Sequence, residues 1–258
     1  MNPDPDIVRA LTEDGVAIVP GVLAREEALA MRPLLQSCID DDIRLWDGKP
    51  GYVDHWMVHN LMVRGEPFLR LLENPVLHAY LSAMLTDTCT VYAYTSSSMP
   101  PGRTNYSRRI HIDCPRIIPG YITNIGLTLA LDDFTPENGA TEFLPHSYLR
   151  ADPPTEQEFE AGARPVLLKA GEAAFFNART WHRGGINRTN QPRHAVTINV
   201  CRGYMRQRFD YPRLVLPELI ARLGPVGRRF LGMNVRVPVS LDEYYVPPEQ
   251  RLYLANQG

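Results

Sequence analysis

The sequence predicts a mainly β fold flanked by helices, and three observations carry that expectation. Beyond residue 90 the chain breaks into short β-branched and aromatic stretches separated by turn residues, the spacing of an antiparallel sandwich or barrel. Before residue 90 and after Tyr211 the apolar residues recur at helical spacing instead. With 258 residues, 44% of them hydrophobic, the chain can bury one large core without dividing. A single domain over 1–258 is therefore expected: helix-rich over 1–90, a β core at about 90–204, and C-terminal helices and a tail over 205–258.

Taken in order, "DPDIVRALTEDG" reads as a first helix with Asp4 or Asp6 as caps, followed by a compact strand from Val16 to Val22. Residues 25 to 39 place Ala28, Met31, Leu34, Leu35 and Cys38 on one helical face, and Pro33 predicts a kink or restart. "PFLRLLENPVLHAYLSAML" gives two short helices split at Asn74-Pro75. Strands are expected at 90–97, 108–113, 123–131, 140–145, 165–170, 173–178 and 194–204, with helices returning in "PELIARL" and "VGRRFLGM".

Composition narrows the function classes. A net charge of −2 with 22% charged residues offers no large basic surface for nucleic acid or anionic lipid, so the expected partner is a small molecule. Cys38, Cys89, Cys114 and Cys201 are scattered without a CxxC pair, which suggests neither a disulfide framework nor a zinc site. The opening residues lack an apolar core, and no run approaches the roughly 18 apolar residues of a membrane span. A cytoplasmic protein is expected, and the sequence is silent on its oligomeric state.

Two strands separate their faces cleanly. Over Asn124 to Leu131, Ile125, Leu127, Leu129 and Leu131 oppose Asn124, Gly126, Thr128 and Ala130. Over Arg193 to Val200, His194, Val196, Ile198 and Val200 oppose Arg193, Ala195, Thr197 and Asn199. A solvent face usually carries long charged side chains; small polar ones around a single arginine suggest the wall of a cavity for a polar ligand.

The stretch "RRIHIDCPR" puts His111 and Asp113 two apart, on one face of a strand, where both can reach one ion. His182, after an apolar strand and before a Gly-Gly turn, is the best third ligand. Two histidines and a carboxylate form the facial triad that leaves positions open on Fe(II) for substrate and oxygen, although a lone His-x-Asp is more often structural. Arg193 heads the strand with the small polar face and can grip a carboxylate through two parallel hydrogen bonds; Arg188 competes for that role.

With "HID" at 111–113, "LTLALDDFTPENGATEFLPHSY" at 127–148 and "LKAGEAAFFNARTWHRGGINRTNQPRHAVTINV" at 168–200, the chain resembles the phytanoyl-CoA dioxygenase family of Fe(II)- and 2-oxoglutarate-dependent oxygenases. The opening "DGVAIVPGVL" and the late "LPELIARL" extend the resemblance over nearly the whole chain. It implies a double-stranded β-helix, the cupin-like jelly roll, with flanking helices. It also implies iron on His111, Asp113 and His182, with Arg193 on the distal carboxylate of 2-oxoglutarate. Iron, the keto acid and O2 would together couple oxidative decarboxylation to hydrogen removal from an unactivated carbon. Hydroxylation, desaturation, epimerisation and ring formation share that first step. The chain departs from the family pattern at "LPHSY", where His146 replaces the usual glycine; it reads as a loop residue. Asp113 is present, which disfavours halogenation.

Around this centre, Asn124 and Thr141 are expected near the keto acid. Trp56, His59, Tyr92, Tyr94 and Arg103 are expected near the substrate, in segments over the barrel mouth that also hold Trp46, Tyr52, His55 and Tyr106. His55 and His59 stand at i, i+4, a spacing that suits packing or substrate contact better than a second metal. Arginines in "CRGYMRQRFDYPR" could attract an anionic substrate such as a coenzyme A thioester, but more often form a solvated face. The resulting expectation is an oxygenase of a small organic molecule in specialised or natural-product metabolism. Its rivals are a noncatalytic small-molecule-binding protein and a metal-dependent isomerase or hydrolase on the same barrel.

Overall fold

A computed structural model describes residues 2–255. Strands β1 (Val16–Val19), β2 (Thr90–Ser96) and β3 (Asn124–Ala130) precede β4 (Glu142–Phe143), β5 (Arg164–Pro165), β6 (Ala173–Asn177), β7 (His182–Arg183) and β8 (Ala195–Cys201). They form two sheets, one ordered β1-β6-β3-β8-β2 and one ordered β5-β4-β7, and every neighbouring pair is antiparallel. The sheets face each other as a jelly roll, with Phe143 of the small sheet against Phe176 of the large one at 5.0 Å between ring centroids. Helices α1 (Pro5–Glu13), α2 (Arg25–Trp46), α3 (Glu66–Arg70) and α4 (Pro75–Met84) come before β2.

The two faces read from β3 and β8 are the two faces of the large sheet. Leu127, Leu129, Val196 and Ile198 belong to the core shared with Leu35 and Ile39 of α2 and Leu77 and Leu81 of α4. Each such side chain contributes about 2 kcal/mol by leaving water. Ala130, Ala174, Phe176 and Ala195 point the other way and pack with Phe134, Phe143 and Leu168 in a smaller core between the sheets. Gly126 pairs with Phe176, and a β-carbon there would lie 2.2 Å from the ring, so glycine lets the ring lie flat on the neighbouring strand. Large apolar residues thus anchor the helices, while small ones keep space inside the roll.

Several expectations need correction. Helix α2 does not restart at Pro33 but continues to Trp46, its buried face running on through Met31, Leu35 and Cys38 on both sides of the proline. β1 stops at Val19, before Pro20 and the left-handed Gly21 (φ 68°). The expected strand 108–113 is a 3-10 turn over Tyr106–Arg108 and then a single bridge from His111 to His182. It ends there because the Asp113 and Cys114 N–H groups both turn onto the Ala178 carbonyl, at 2.8 and 3.0 Å. The 140–145 and 165–170 strands shrink to β4 and β5. A helix within the β region, α5 (Glu156–Gly162), went unread, although Thr155 and Glu158 form the capping box that announces it.

His146 adopts a left-handed conformation, φ 60°, which explains why glycine suits the position. Its N–H donates to the Asp14 carbonyl, and its Nδ1 lies 2.9 Å from the Glu13 carbonyl at the end of α1. After β8 come α6 (Tyr211–Leu214), α7 (Pro217–Ala221), α8 (Pro225–Leu231) and α9 (Leu241–Tyr244). All four cysteines are buried and free. No helix among the described residues is long and apolar enough to cross a membrane.

His194, on the helix-facing side of the large sheet, is buried and holds Ser98 Oγ at 3.0 Å through Nδ1. Burial, aided by the Arg32 and Arg193 charges, lowers its pKa from 6.5 to about 4. Unfolded chains therefore bind a proton at this site that the fold refuses, and stability falls as pH drops through the interval from 6.5 to about 4. At pH 5 the expected loss from His194 alone is about 2 kcal/mol. Urea midpoints at pH 7 and pH 5 check this: His194→Gln should show a smaller decrease than the parent, and an equal decrease would exclude His194 as a source.

Candidate metal centre

The centre is built on a backbone pairing. His111 N–H donates to the His182 carbonyl and His182 N–H to the His111 carbonyl, both at 3.0 Å. A narrow antiparallel pair of this kind projects both side chains to the same side, and the two rings sit 4.2 Å apart. Behind His182, the rings of Phe143 and Phe176 lie 5.3 and 4.9 Å away and fix it between the sheets. Each imidazole turns Nδ1 to a carbonyl two residues upstream: His111 to Arg109 at 2.8 Å, His182 to Thr180 at 2.9 Å. With Nδ1–H donating there, Nε2 of both rings is left with its lone pair.

Asp113 completes the group, its Oδ1 3.7 Å from His111 Nε2. One ligand atom from each of His111, Asp113 and His182 lies within 4.8 Å of the others, and no other group of three or more metal-binding side chains converges this way among the described residues. The carboxylate is steered in turn: Asn199 Nδ2 donates to Asp113 Oδ2 at 3.4 Å, and Asn124 Nδ2 donates to Asn199 Oδ1 at 3.0 Å. Asn124 Oδ1 is buried without a partner. Burial, reinforced by the neighbouring His182, lowers the His111 pKa to about 4, so the ring is neutral and available as a ligand near pH 7.

Arg193 lies on the same inward face as Asn199 and is 1% exposed. Its Nη atoms donate to the Ser97 and Gly139 carbonyls at 3.1 Å each, its guanidinium stacks on Phe134 at 4.1 Å, and its Nε has no partner. No carboxylate of the described residues pairs with it. Burial pulls its pKa down to about 9, against the opposing field of Asp132. A buried guanidinium with an unused donor and no ion-pair partner is able to take up an external anion. Thr141 immediately precedes β4, two residues beyond the Gly139 carbonyl that holds Arg193, and is half-buried.

The expected substrate residues scatter. His59 pairs with Thr95, and its ring lies 6.2 Å from Phe209. Burial and the Arg208 charge lower its pKa. Tyr92 sits half-buried at a bulge in β2. Trp56 is half-buried against the helical core. Tyr94 is a correction: it is fully buried on the helix-facing side, where its hydroxyl donates to the Phe68 carbonyl at 2.8 Å. Arg103 lies exposed on a turn and takes no part in the convergence. His55 faces Asp47 and Tyr52 rather than His59.

Two residues outside the expected set, Asn199 and Arg179, belong here, together with Tyr106 of the expected mouth segment. Asn199 was legible as a small polar residue on the Arg193 face, although no role was assigned to it. Tyr106 stands close enough to Asp113 for burial and that carboxylate to raise its pKa. Arg179, 6% exposed, donates to the carbonyls of Pro115, Tyr148 and Arg150, pinning the chain just past Asp113. Nothing in the local sequence marks it. Gly184 and Gly185 leave room for the neighbours: a β-carbon at Gly184 would meet Ser107 and Met99 below 2.5 Å, and one at Gly185 would meet the Ala140 carbonyl at 2.6 Å.

A jelly roll with two histidines and one carboxylate converging between its sheets is the architecture of a non-haem iron oxygenase. The sequence profile of the phytanoyl-CoA dioxygenase (PhyH) family matches residues 11–195, and the chain belongs to that family. An uncharacterized protein of Mycobacterium tuberculosis, Rv1501, is 31% identical over 207 residues, which span 78% of this chain and 76% of that one. The dioxygenase andF of Emericella variicolor is 25% identical over 259 residues, covering 90% of this chain and 86% of its own. Among solved structures, the epimerase SnoN in complex with Fe3+, alpha ketoglutarate and nogalamycin RO shares the fold, with a TM-score of 0.59 and 20% identity over 76% of this chain and 82% of that one.

Because Asn199 orients the carboxylate, Asn199→Ala should leave the fold intact and weaken divalent metal binding about tenfold, the scale of a lost outer hydrogen bond to a ligand. Titration with Co(II), followed by its visible absorption, checks this. Parental affinity would remove Asn199 from the centre.

Proposed function

We propose that this protein is an Fe(II)- and 2-oxoglutarate-dependent oxygenase that hydroxylates, or otherwise oxidises by hydrogen removal, a small organic molecule in specialised metabolism, working in the cytoplasm. The observation that carries the reading is the pairing of a His111–Asp113–His182 convergence with a fully buried Arg193 that lacks any carboxylate. Family membership supports it, as does the dioxygenase name of a relative that covers nine-tenths of this chain.

The residues fit both groups. Two neutral imidazole nitrogens and a carboxylate oxygen on one side suit Fe(II) and leave the other side open. The unsatisfied Nε of Arg193 suits the distal carboxylate of 2-oxoglutarate, and the orphaned Asn124 Oδ1 marks a polar inner wall. Iron with its keto acid and O2 supplies the oxidising power for hydrogen removal. This chain supplies position: His111 and His182 are held by the backbone pair, Asp113 by Asn199, and Arg193 by two carbonyls and Phe134. Phe143 and Phe176 keep water from the His182 side. Tyr106, whose pKa burial and the Asp113 carboxylate raise, and His59, bridged to Thr95 of the strand that pairs with β8, are the candidates to meet substrate.

Anaerobic titration of the purified apoprotein with Fe(II) and then 2-oxoglutarate tests the reading. A visible charge-transfer band should appear, and should be absent in His111→Ala for want of metal. Arg193→Ala should keep metal affinity while raising the 2-oxoglutarate requirement by roughly 30-fold or more, as loss of one partner of a buried charge pair costs about 2 kcal/mol or more. A folded parent that binds metal yet never develops the band would overturn the proposal. Asp113→Gly should lose hydroxylation.

A further inference from the structure

One cleft of the protein lies apart from the metal ligands. It has a volume of about 530 Å3 and lies between the segment that follows β8 and the strand-like tail beyond α8, with Arg206, Arg208, Phe209, Asp210, Arg213 and Arg236 among its lining. This is the size of a small-molecule site. Its walls are tied down. Arg208 N–H donates to the Tyr92 carbonyl at 2.9 Å, Gln207 Nε2 to the Val91 and Leu231 carbonyls, and Arg236 N–H to the Leu252 carbonyl at 3.0 Å.

Its charge is one-sided. Asp210 is the single carboxylate in the lining, and it pairs with Arg213 at 3.1 Å. The guanidinium groups of Arg206, Arg208 and Arg236 have no ion-pair partner among the described residues. Three arginines without an ion-pair partner thus line one concavity, Arg206 and Arg208 exposed and Arg236 half-buried, and like charges on one cleft add their fields. The cleft is tied by the backbone to the elements of the centre: Arg208 N–H donates to the Tyr92 carbonyl, the next residue, Ala93, pairs with Asn199, and Asn199 donates to Asp113, while Phe209, in the lining, stands 6.2 Å from the His59 ring.

We infer that this cleft seats an anionic group of the substrate, a carboxylate or phosphate, so that the reacting carbon extends past Phe209 and His59 toward the His111–Asp113–His182 face. The inference rests on the oxygenase reading for its direction, but not for the anion site itself. Arginine in such a cleft holds either anion through paired N–H donors, so the shared chemistry is the claim and the source is to be measured.

Three probes that share a ring separate the possibilities: phenyl phosphate, benzoate and neutral benzamide, titrated into the full-length apoprotein at low ionic strength without 2-oxoglutarate. At least one anion should bind and benzamide should not, the tighter anion showing whether phosphate or carboxylate is the native source. Arg208→Gln and Arg236→Gln should each weaken binding about tenfold, whereas Arg9→Gln, a surface arginine at the other end of the chain, should not. With Mn(II) at the centre, the ring protons of the bound anion should broaden beyond a Zn(II) control, and His111→Ala should remove the excess. Equal binding of benzamide, unchanged affinity in both arginine variants, or no broadening would each overturn the inference. If anions bind but no charge-transfer band forms with Fe(II) and 2-oxoglutarate, the oxygenase reading fails and the anion site stands; a band without anion binding gives the reverse.

Discussion

The reciprocal hydrogen bonds between His111 and His182 are the constraint on which the rest depends. They join segments 71 positions apart (182 − 111) and set two rings side by side without help from side-chain chemistry. Everything that surrounds the pair serves to keep it in place. Gly184 and Gly185 let the 97–107 and 139–140 segments close over β7, and Phe143 and Phe176 fill the space behind His182. The sharp turn onto the Ala178 carbonyl then swings Asp113 toward the same point. Alternation along a strand has no part in that last step, since the strand ends at the bridge.

Three buried arginines show how one side chain is put to three uses. Arg183, on the outer side of β7, is neutralised by Glu142, Glu156 and Glu160 and fastens α5 to the small sheet. Arg179 spends its donors on three loop carbonyls and acts as a clamp. Arg193 keeps one donor unspent beside an aromatic ring. Burial of a guanidinium is costly in each case, and only for Arg193 does the protein itself leave the compensation incomplete.

Much of this was legible in the sequence because it follows from periodicity. The two faces of β3 and β8 and the early helices all repeat at 2 or 3.6 residues. His111, Asp113, His182 and Arg193 stood out through residue type and spacing, aided by a family resemblance. What escaped depends on tertiary contact. Tyr94 reads like a mouth residue, yet a bulge at Tyr92 shifts the register and its hydroxyl finds a carbonyl in α3. Pro33 reads as a kink or restart, yet the helix continues because its buried face carries on through Met31, Leu35 and Cys38. Arg179 carries no local signal, because its three partners come from distant loops. The small sheet is so short that its pairing is set by neighbours rather than by propensity.

The topology of the large sheet also governs how the chain can be made. β1 has one neighbour, β6, and Val16 pairs with Phe176, 160 residues later (176 − 16). At translation rates of roughly 5–20 residues per second, the first strand waits about 8–30 seconds for the strand that receives it. During that interval its apolar residues have only the early helices for cover, and the roll cannot close around the future metal ligands. The large sheet is therefore completed only late in synthesis, once the strand that receives β1 has been made.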